Sequence, residues 1–455
     1  MELRPRQKEV VSKTLDYIKG KDKRPGIIVA PTAFGKSLVI SAIANECEGG
    51  VLVIQPSKEL VIQNYNKLKL LGGEATIYSA SVGEKNLSKL TFATLGSIKN
   101  LASEFKELGV ELVLIDECDS SFPPDKKSVF RQFIDKLAPK KVIGLTATPF
   151  RMKNGFNPLT GQSSSSLQML DRTRPMYFKH FIDIVQIQEL TSVGYWSELH
   201  YIKYDFDTSG LRYNTTGTDF SEASVKKALE VQGVNNNIFL RVTELLKDPE
   251  ERVLVFCDSV ETAEKMVENI PNSAALSGTT PKKERDRIVK GFTSNKIRVV
   301  FNYGVLAVGF DYPELNRIIL GRPTNSLRLY YQIIGRGVRI HKDKEVCRIE
   351  DFCGNMDRFG RVEDFTLEDF GDVGMQLFSG DRMLTGCDLD KPPITKQYLR
   401  GEVGDLEKIW YGKHKGTPLN KLPKSYIKYQ IEWLEGLDTI SSKMLKLLRD
   451  LKKLC

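Results

Sequence analysis

Short apolar runs alternate with amphipathic stretches over the first 150 residues, and that alternation allows few folds. Strand candidates fall at 26–30, 51–55, 76–79, 90–93, 111–116 and 141–146, with helix-like segments such as 36–46 and 57–71 between them. The pattern predicts an α/β unit, a parallel sheet with helices on both faces. It stops near Lys153. The stretch "MKNGFNPLTGQSSSSLQMLDRTRP" is polar, with two prolines and four consecutive serines, and predicts a flexible loop over 153–175. Alternation resumes at 200–205, with a helix over about 221–247 and strands at 253–257, 273–276, 297–302 and 317–320. That is a second α/β unit of similar size. Strand character fades after about Asp372, which divides the chain into domains over 1–190, 191–375 and 385–455.

A chain of 455 residues is too long for one core, in keeping with this division. No apolar run approaches the roughly 18 residues that cross a bilayer, so no membrane partner is expected. The start, "MELRPRQKEVV", is not a signal peptide, and the expected location is the cytoplasm of a bacterium or of a phage-infected host. Seven cysteines without a CxxC pair suit a reducing compartment. The net charge is +9, and the last 65 residues hold 14 Lys+Arg against 7 Asp+Glu, so +7 of it lies there. Tyr398, Trp410, Tyr411, Tyr426, Tyr429 and Trp433 are interleaved with those charges. Basic residues attract phosphates and aromatic faces stack on bases, whereas a solvated helical tail with a small aromatic core explains the composition equally well.

Three stretches carry chemistry. "GIIVAPTAFGKSLVI" runs from an apolar strand into a small-residue loop, Pro31, Thr32, Ala33, Phe34, Gly35, Lys36 and Ser37, and then into a helix. Such a loop points backbone N–H groups at phosphate oxygens, with Lys36 reaching the β/γ-phosphates and Ser37 on Mg²⁺. Ala30 stands where the usual pattern has its first glycine. "VELVLIDECDS" ends an apolar run in Asp116 and Glu117, a pair costly to bury unless a cation receives it. With a phosphate loop upstream, Asp116 holds Mg²⁺ and Glu117 orients and deprotonates the attacking water. "LYYQIIGRGVRIHK" sets Gln332, Arg336 and Arg339 near one helical face, from which arginines can stabilise charge on a γ-phosphate.

In order, these stretches resemble the superfamily 2 helicases over roughly residues 3–360. "LRPRQ" resembles the adenine-reading segment, with Arg4 and with Gln7 as the base contact. "APTAFGKS" resembles the first motif, "QPSKELVIQN" motif Ia, "FATLGSI" motif Ib and "DECD" the DEAD/DEAH box. "GLTATP" resembles motif III, "VLVFCDS" motif IV, "VVFNYGVLAVGFDYP" motif V and "QIIGRGVR" motif VI. The resemblance implies two tandem RecA-like domains with ATP between them, followed by a small basic, mainly helical C-terminal domain. It implies that Asp119, Thr146 and Thr148 couple hydrolysis to strand movement, and that Gly309 and Asp311 contact ribose and the partner domain. It also implies nucleic-acid contacts at Gln55, Pro56, Thr94, Ser259 and Asn302, to which the basic tail adds Lys413 and Lys415 as candidates. Ala33 stands where many relatives have glycine, and Asn302-Tyr303 where motif V commonly offers threonine.

"RIEDFCGNMDRFGRVEDF" resembles a segment of the RadD-like DNA repair helicases, with Phe359 in place of their histidine. The motif spacing resembles the phage UvsW and RecG-type branch-migration enzymes, and "WYGKHKGTPLNKLPKSYIKYQIEWL" the C-terminal module of exodeoxyribonuclease X-like proteins. RadD-like enzymes carry zinc, but Cys347, Cys353 and Cys387 are badly spaced for it, so no structural zinc is expected. The expectation is an ATP- and Mg²⁺-dependent DNA helicase acting as a monomer on forked or branched DNA. An RNA helicase, a restriction motor and a nucleotide-gated DNA-binding protein without catalysis are the rivals.

Overall fold

The structure, a computed structural model, describes residues 2–454 apart from 122–124, 158–161, 174, 306–311, 372–373, 391–392, 397–398, 400–408, 410–413, 415–416, 436 and 438–441. The first lobe is one sheet built from β1 (Gly26–Val29), β2 (Gly50–Gln55), β3 (Thr76–Ser79), β4 (Glu84–Lys85), β5 (Leu90–Thr94), β6 (Val110–Asp116), β7 (Lys141–Thr146) and a later strand, β10 (His180–Ile184). Their order is β10-β1-β7-β6-β2-β5-β3-β4, parallel except for β4. β1, β2 and β7 are buried along their whole length, as strands covered by helices on both faces must be. The second lobe is an all-parallel sheet, β11 (Glu198–Lys203), β12 (Val253–Phe256), β13 (Ser273–Ser277), β14 (Val299–Tyr303), β15 (Arg317–Leu320) and β16 (Val346–Asp351), ordered β11-β16-β15-β12-β14-β13.

β10 and β16 were not foreseen, and three further features depart from the sequence reading. The expected flexible loop over 153–175 holds an antiparallel hairpin, β8 (Phe150–Asn157) paired with β9 (Gln162–Met169) in unbroken register. The serine run misleads because its composition reads as loop, whereas its backbone pairs across the hairpin with Lys153, Asn154, Gly155 and Phe156. The single helix expected over 221–247 is two, Glu222–Val231 and Val234–Leu245, broken where Gly233 takes φ 64°. β17 (Phe365–Asp369), at the end of the expected second domain, forms a small antiparallel sheet with β18 (Met375–Ser379) and β19 (Arg382–Met383), which lie past Asp372, where strand character was expected to fade.

That small sheet docks back on the first lobe. Gln186 Nε2 donates to the Leu367 carbonyl (2.7 Å) and Gln186 Oε1 accepts from the Leu367 N–H (3.1 Å). The base of the hairpin is tied in as well, by Gly386 N–H donating to the Leu167 carbonyl at 2.6 Å. The C-terminal helices Lys424–Glu435 and Ser442–Lys452 pack on an aliphatic core that includes Ile427, Leu434, Leu447 and Leu451. Tyr426 is partly buried against this core and meets the His414 ring edge-on, Tyr429 is exposed, and Tyr398, Trp410 and Tyr411 lie outside the described residues.

Asp171 sits between the hairpin and β10. One of its oxygens is buried without a hydrogen-bond partner, and burial pushes the carboxyl up to about 6. The folded state therefore holds this proton more tightly than the unfolded chain does. Stability is lost as pH rises from the unfolded value near 4 through about 6, by at most about 3 kcal/mol. Asp171→Asn is expected to raise Tm at pH 7.5 and to leave it unchanged at pH 4. Equal shifts at both pH values would sink this account.

Candidate active site

Each lobe brings one half of a single cleft, and the phosphate loop forms its floor. After β1, Ala30 N–H donates to the Thr146 carbonyl on β7 (2.9 Å), and the loop turns through Ala33 (φ 65°) and Gly35 (φ 93°) into the helix Lys36–Glu46. Arg6 fixes the helix Pro5–Lys19 beneath it, 2.5 Å from Asp183 on β10 and 2.7 Å from Glu189. This places Gln7 under the loop. Its Nε2 donates to the Phe34 carbonyl (2.6 Å) and its Oε1 accepts from the Arg4 N–H (2.9 Å). Gln7 is buried and does not line the cleft, so its amide supports the loop where the sequence suggested a base contact. Arg4 lies over the Tyr195 ring at 4.1 Å.

A Cβ on Gly35 would lie 2.6 Å from Gln7 Nε2, at a φ that side chains rarely adopt. Gly35→Ala is therefore expected to dislodge both the loop and Gln7 and to weaken nucleotide binding at least about tenfold. Titration with a fluorescent nucleotide checks this, and an unchanged Kd would show that the loop does not depend on Gly35.

β6 delivers the acids. Asp116 is buried, with Oδ2 accepting from Asn64 Nδ2 (3.3 Å) and Oδ1 from the Glu117 N–H (3.0 Å). Glu117 takes φ 47°, a left-handed turn that non-glycine residues rarely occupy outside functional sites. Its Oε1 lies 2.7 Å from Lys36 Nζ. Burial works to raise the Glu117 carboxyl, but the Lys36 ammonium outweighs it and holds the group below the ordinary range. Burial and the neighbouring Glu117 charge push Asp116 up to about 6. The pair is thus electrically unequal, with Glu117 ionised and Asp116 in want of a cation.

From the second lobe, the helix Leu327–Ile334 buries Leu327, Tyr330, Tyr331, Ile333 and Ile334. Gln332 lines the cleft from this helix, whereas Arg336 and Arg339 reach it from the turn and segment beyond its end at Ile334, not from the single helical face expected. A cavity of about 220 Å³ contains Thr32, Lys36, Ser37 and Glu117 from one lobe and Gln332, Arg336 and Arg339 from the other. The lobes touch directly at its rim. Thr32 N–H donates to Tyr331 Oη (3.1 Å), and Trp196 Nε1 donates to the Thr32 carbonyl (2.9 Å).

Behind the acids, Asp119 accepts from Thr146 Oγ1 (2.8 Å) and Thr148 Oγ1 (2.9 Å), so the three expected coupling residues form one hydrogen-bonded unit. The sequence reading missed Arg328, which meets this unit as an ion pair, its Nε 2.7 Å from Asp119 Oδ2 without hydrogen-bond geometry. Its spacing was the available signal, since Arg328, Gln332 and Arg336 recur every four residues.

The expected nucleic-acid residues fare unevenly. Pro56 is exposed, while Thr94 hydrogen-bonds Ser79 and Ser97, and Ser259 caps a helix by accepting from the Thr262 N–H (3.1 Å). Gln55, the last residue of β2, is 1% exposed and Asn302, one residue before the end of β14, is 0% exposed, so neither side chain reaches the surface: both project from sheet faces that are covered. Gly309, Asp311, Lys413 and Lys415 lie outside the described residues.

Comparisons with known proteins agree with this layout. Residues 1–151 match the family described as type III restriction enzyme, res subunit, and residues 237–341 the helicase conserved C-terminal domain. A Saccharomyces cerevisiae protein named as an ATP-dependent helicase, IRC3, is 26% identical over 77% of this chain and 51% of its own length. The chain thus spans about half of that relative. The DNA 3'-5' translocase XPB2 of Sulfurisphaera tokodaii is 26% identical over 77% of this chain and 81% of its own. The type ISP restriction-modification enzyme LlaBIII, solved bound to DNA, shares the fold at a TM-score of 0.54, with 16% identity, covering 78% of this chain and 28% of that one. One matched family falls in each lobe, in the order that brings both to a common cleft, and the chain belongs to the superfamily 2 helicases, with two tandem RecA-like domains.

Proposed function

We propose that this protein hydrolyses ATP between its lobes and uses the cycle to move along or unwind DNA, acting as a monomer on forked or branched substrates. One observation carries the reading: Lys36 and Glu117 from the first lobe share a cavity with Gln332, Arg336 and Arg339 from the second. Three cationic side chains around one small cavity suit a triphosphate, and Glu117, kept ionised by Lys36, suits a general base. Ser37 and Asp116 would hold Mg²⁺. Their donors are oxygens, as a hard cation prefers, and the buried Asp116 carboxyl is stabilised by any cation beside it. The metal supplies charge neutralisation on the phosphate oxygens.

DNA is favoured over RNA by the resemblance to RadD-like and branch-migration enzymes and by the translocase named among the relatives. The basic C-terminal segment supports a nucleic-acid partner of either kind. The test is ATP turnover without nucleic acid and with single-stranded DNA, forked DNA, four-way junctions and RNA. Stimulation by branched DNA above single strands is expected. Stimulation by RNA alone would overturn the substrate, and no turnover under any condition would overturn the enzyme.

A further inference from the structure

We propose that Arg328 is the second-lobe half of an interlobe latch, a positioning residue that ties cleft closure to the turn leading into the β8–β9 hairpin. The proposal rests on the ATPase reading and adds to it the part that senses closure. The Asp119 side chain is 0% exposed and receives two threonine hydroxyls from its own lobe, neither of which carries charge. Arg328, from a helix 209 residues further along the chain, lies beside it at 2.7 Å, and the same guanidinium donates from Nη2 to Ser120 Oγ at 2.9 Å. Arg151 and Lys36 of its own lobe act on Asp119 at longer range, but Arg328 is the cation in ion-pair contact with this buried carboxylate, and its withdrawal destabilises the charge. Separating the lobes removes that cation, so the latch favours closure.

The first-lobe end of the latch is wired to the hairpin. Thr148, which donates to Asp119, is two residues from Phe150, the first residue of β8. On β8 itself, Arg151 donates from Nη2 to the Cys118 carbonyl (2.9 Å) and from Nε to the Asp119 carbonyl. The Asp119 turn and the start of the hairpin therefore move as one piece. A cavity of about 330 Å³ bordered by Asp119, Arg151, Ser326 and Arg328 gives the guanidinium room to leave. Closing the lobes over the nucleotide seats Arg328, fixes the Asp119 turn and sets the hairpin.

The test uses the full chain carrying Arg328→Ala, Arg328→Lys, Asp119→Asn and the Arg328→Ala/Asp119→Asn double. Turnover at saturating ATP and single-stranded DNA, the Kd for a fluorescent ATP analogue, and the distance between spin labels placed one on each lobe are measured. Arg328→Ala is expected to lower turnover about tenfold, to move the nucleotide Kd less than about threefold, and to widen the interlobe distances. Arg328→Lys should recover part of the turnover, and the double variant should be no worse than the poorer single one. Additive losses, unchanged interlobe distances, or a nucleotide affinity that falls in step with turnover would overturn the latch. A wild-type chain that turns over no ATP counts against the ATPase reading instead, and the distance measurement still decides the latch.

Discussion

Glu117→Gln is expected to reduce ATP turnover by about a hundredfold to ten-thousandfold while nucleotide affinity stays within a few-fold of wild type. The substitution keeps the size of the side chain and its hydrogen-bonding reach but removes the lone pair that accepts a proton from water. Turnover depends on that lone pair because the Lys36 ammonium at 2.7 Å holds the acid ionised. A base whose proton affinity is set low stays competent across neutral pH, so the wild-type rate should show no ionisation of Glu117 between pH 6 and 8. Single-turnover hydrolysis together with equilibrium nucleotide binding separates the two effects. Loss of binding in proportion to loss of turnover would mean that Glu117 positions the nucleotide and does not act on water.

The two lobes and their order along the chain were legible because buried parallel strands leave unbroken apolar runs, and β1, β2, β6, β7 and β15 all sit within a residue or so of where those runs lie. The cleft residues were legible for another reason. A phosphate loop, an acidic strand end and an arginine-bearing helix each need particular residue types at fixed spacing. Gln55 and Asn302 show the limit of such reasoning. A motif places a residue near the carboxyl end of a strand, but whether the side chain emerges depends on what packs over that face of the sheet, and here both are covered. β16–β19 and the hairpin were missed because their strands lack the long apolar runs of the central sheets, and the small sheet and hairpin are held in place by distant partners. Leu367 is fixed by Gln186 and the hairpin base by Gly386, partners some 180 and 220 residues away. Arg328 was missed since nothing in the sequence tells which acid an arginine will meet.

Lys36→Ala is expected to have the largest effect of all, abolishing detectable turnover and weakening nucleotide binding at least about a hundredfold, because a buried charge-assisted contact to phosphate is lost. The damage extends past the phosphates. Lys36 is also the ammonium that keeps Glu117 ionised beside Asp116, whose carboxyl already stands at about 6. Without it, two adjacent buried acids face each other, and ionising both becomes unfavourable in the folded state alone. The sign follows. In the wild type, the depressed Glu117 contributes stability that is present above its unfolded value near 4.5 and is lost as pH falls below it. In Lys36→Ala that contribution reverses, so the variant should lose stability as pH rises from 5 to 8, exactly where the wild-type Glu117 contribution is constant. Thermal unfolding of both proteins at pH 5 and pH 8, without nucleotide, measures the difference. A gap in Tm between variant and wild type that is the same at both pH values would show that Lys36 serves the nucleotide alone and does not govern the acids beside it.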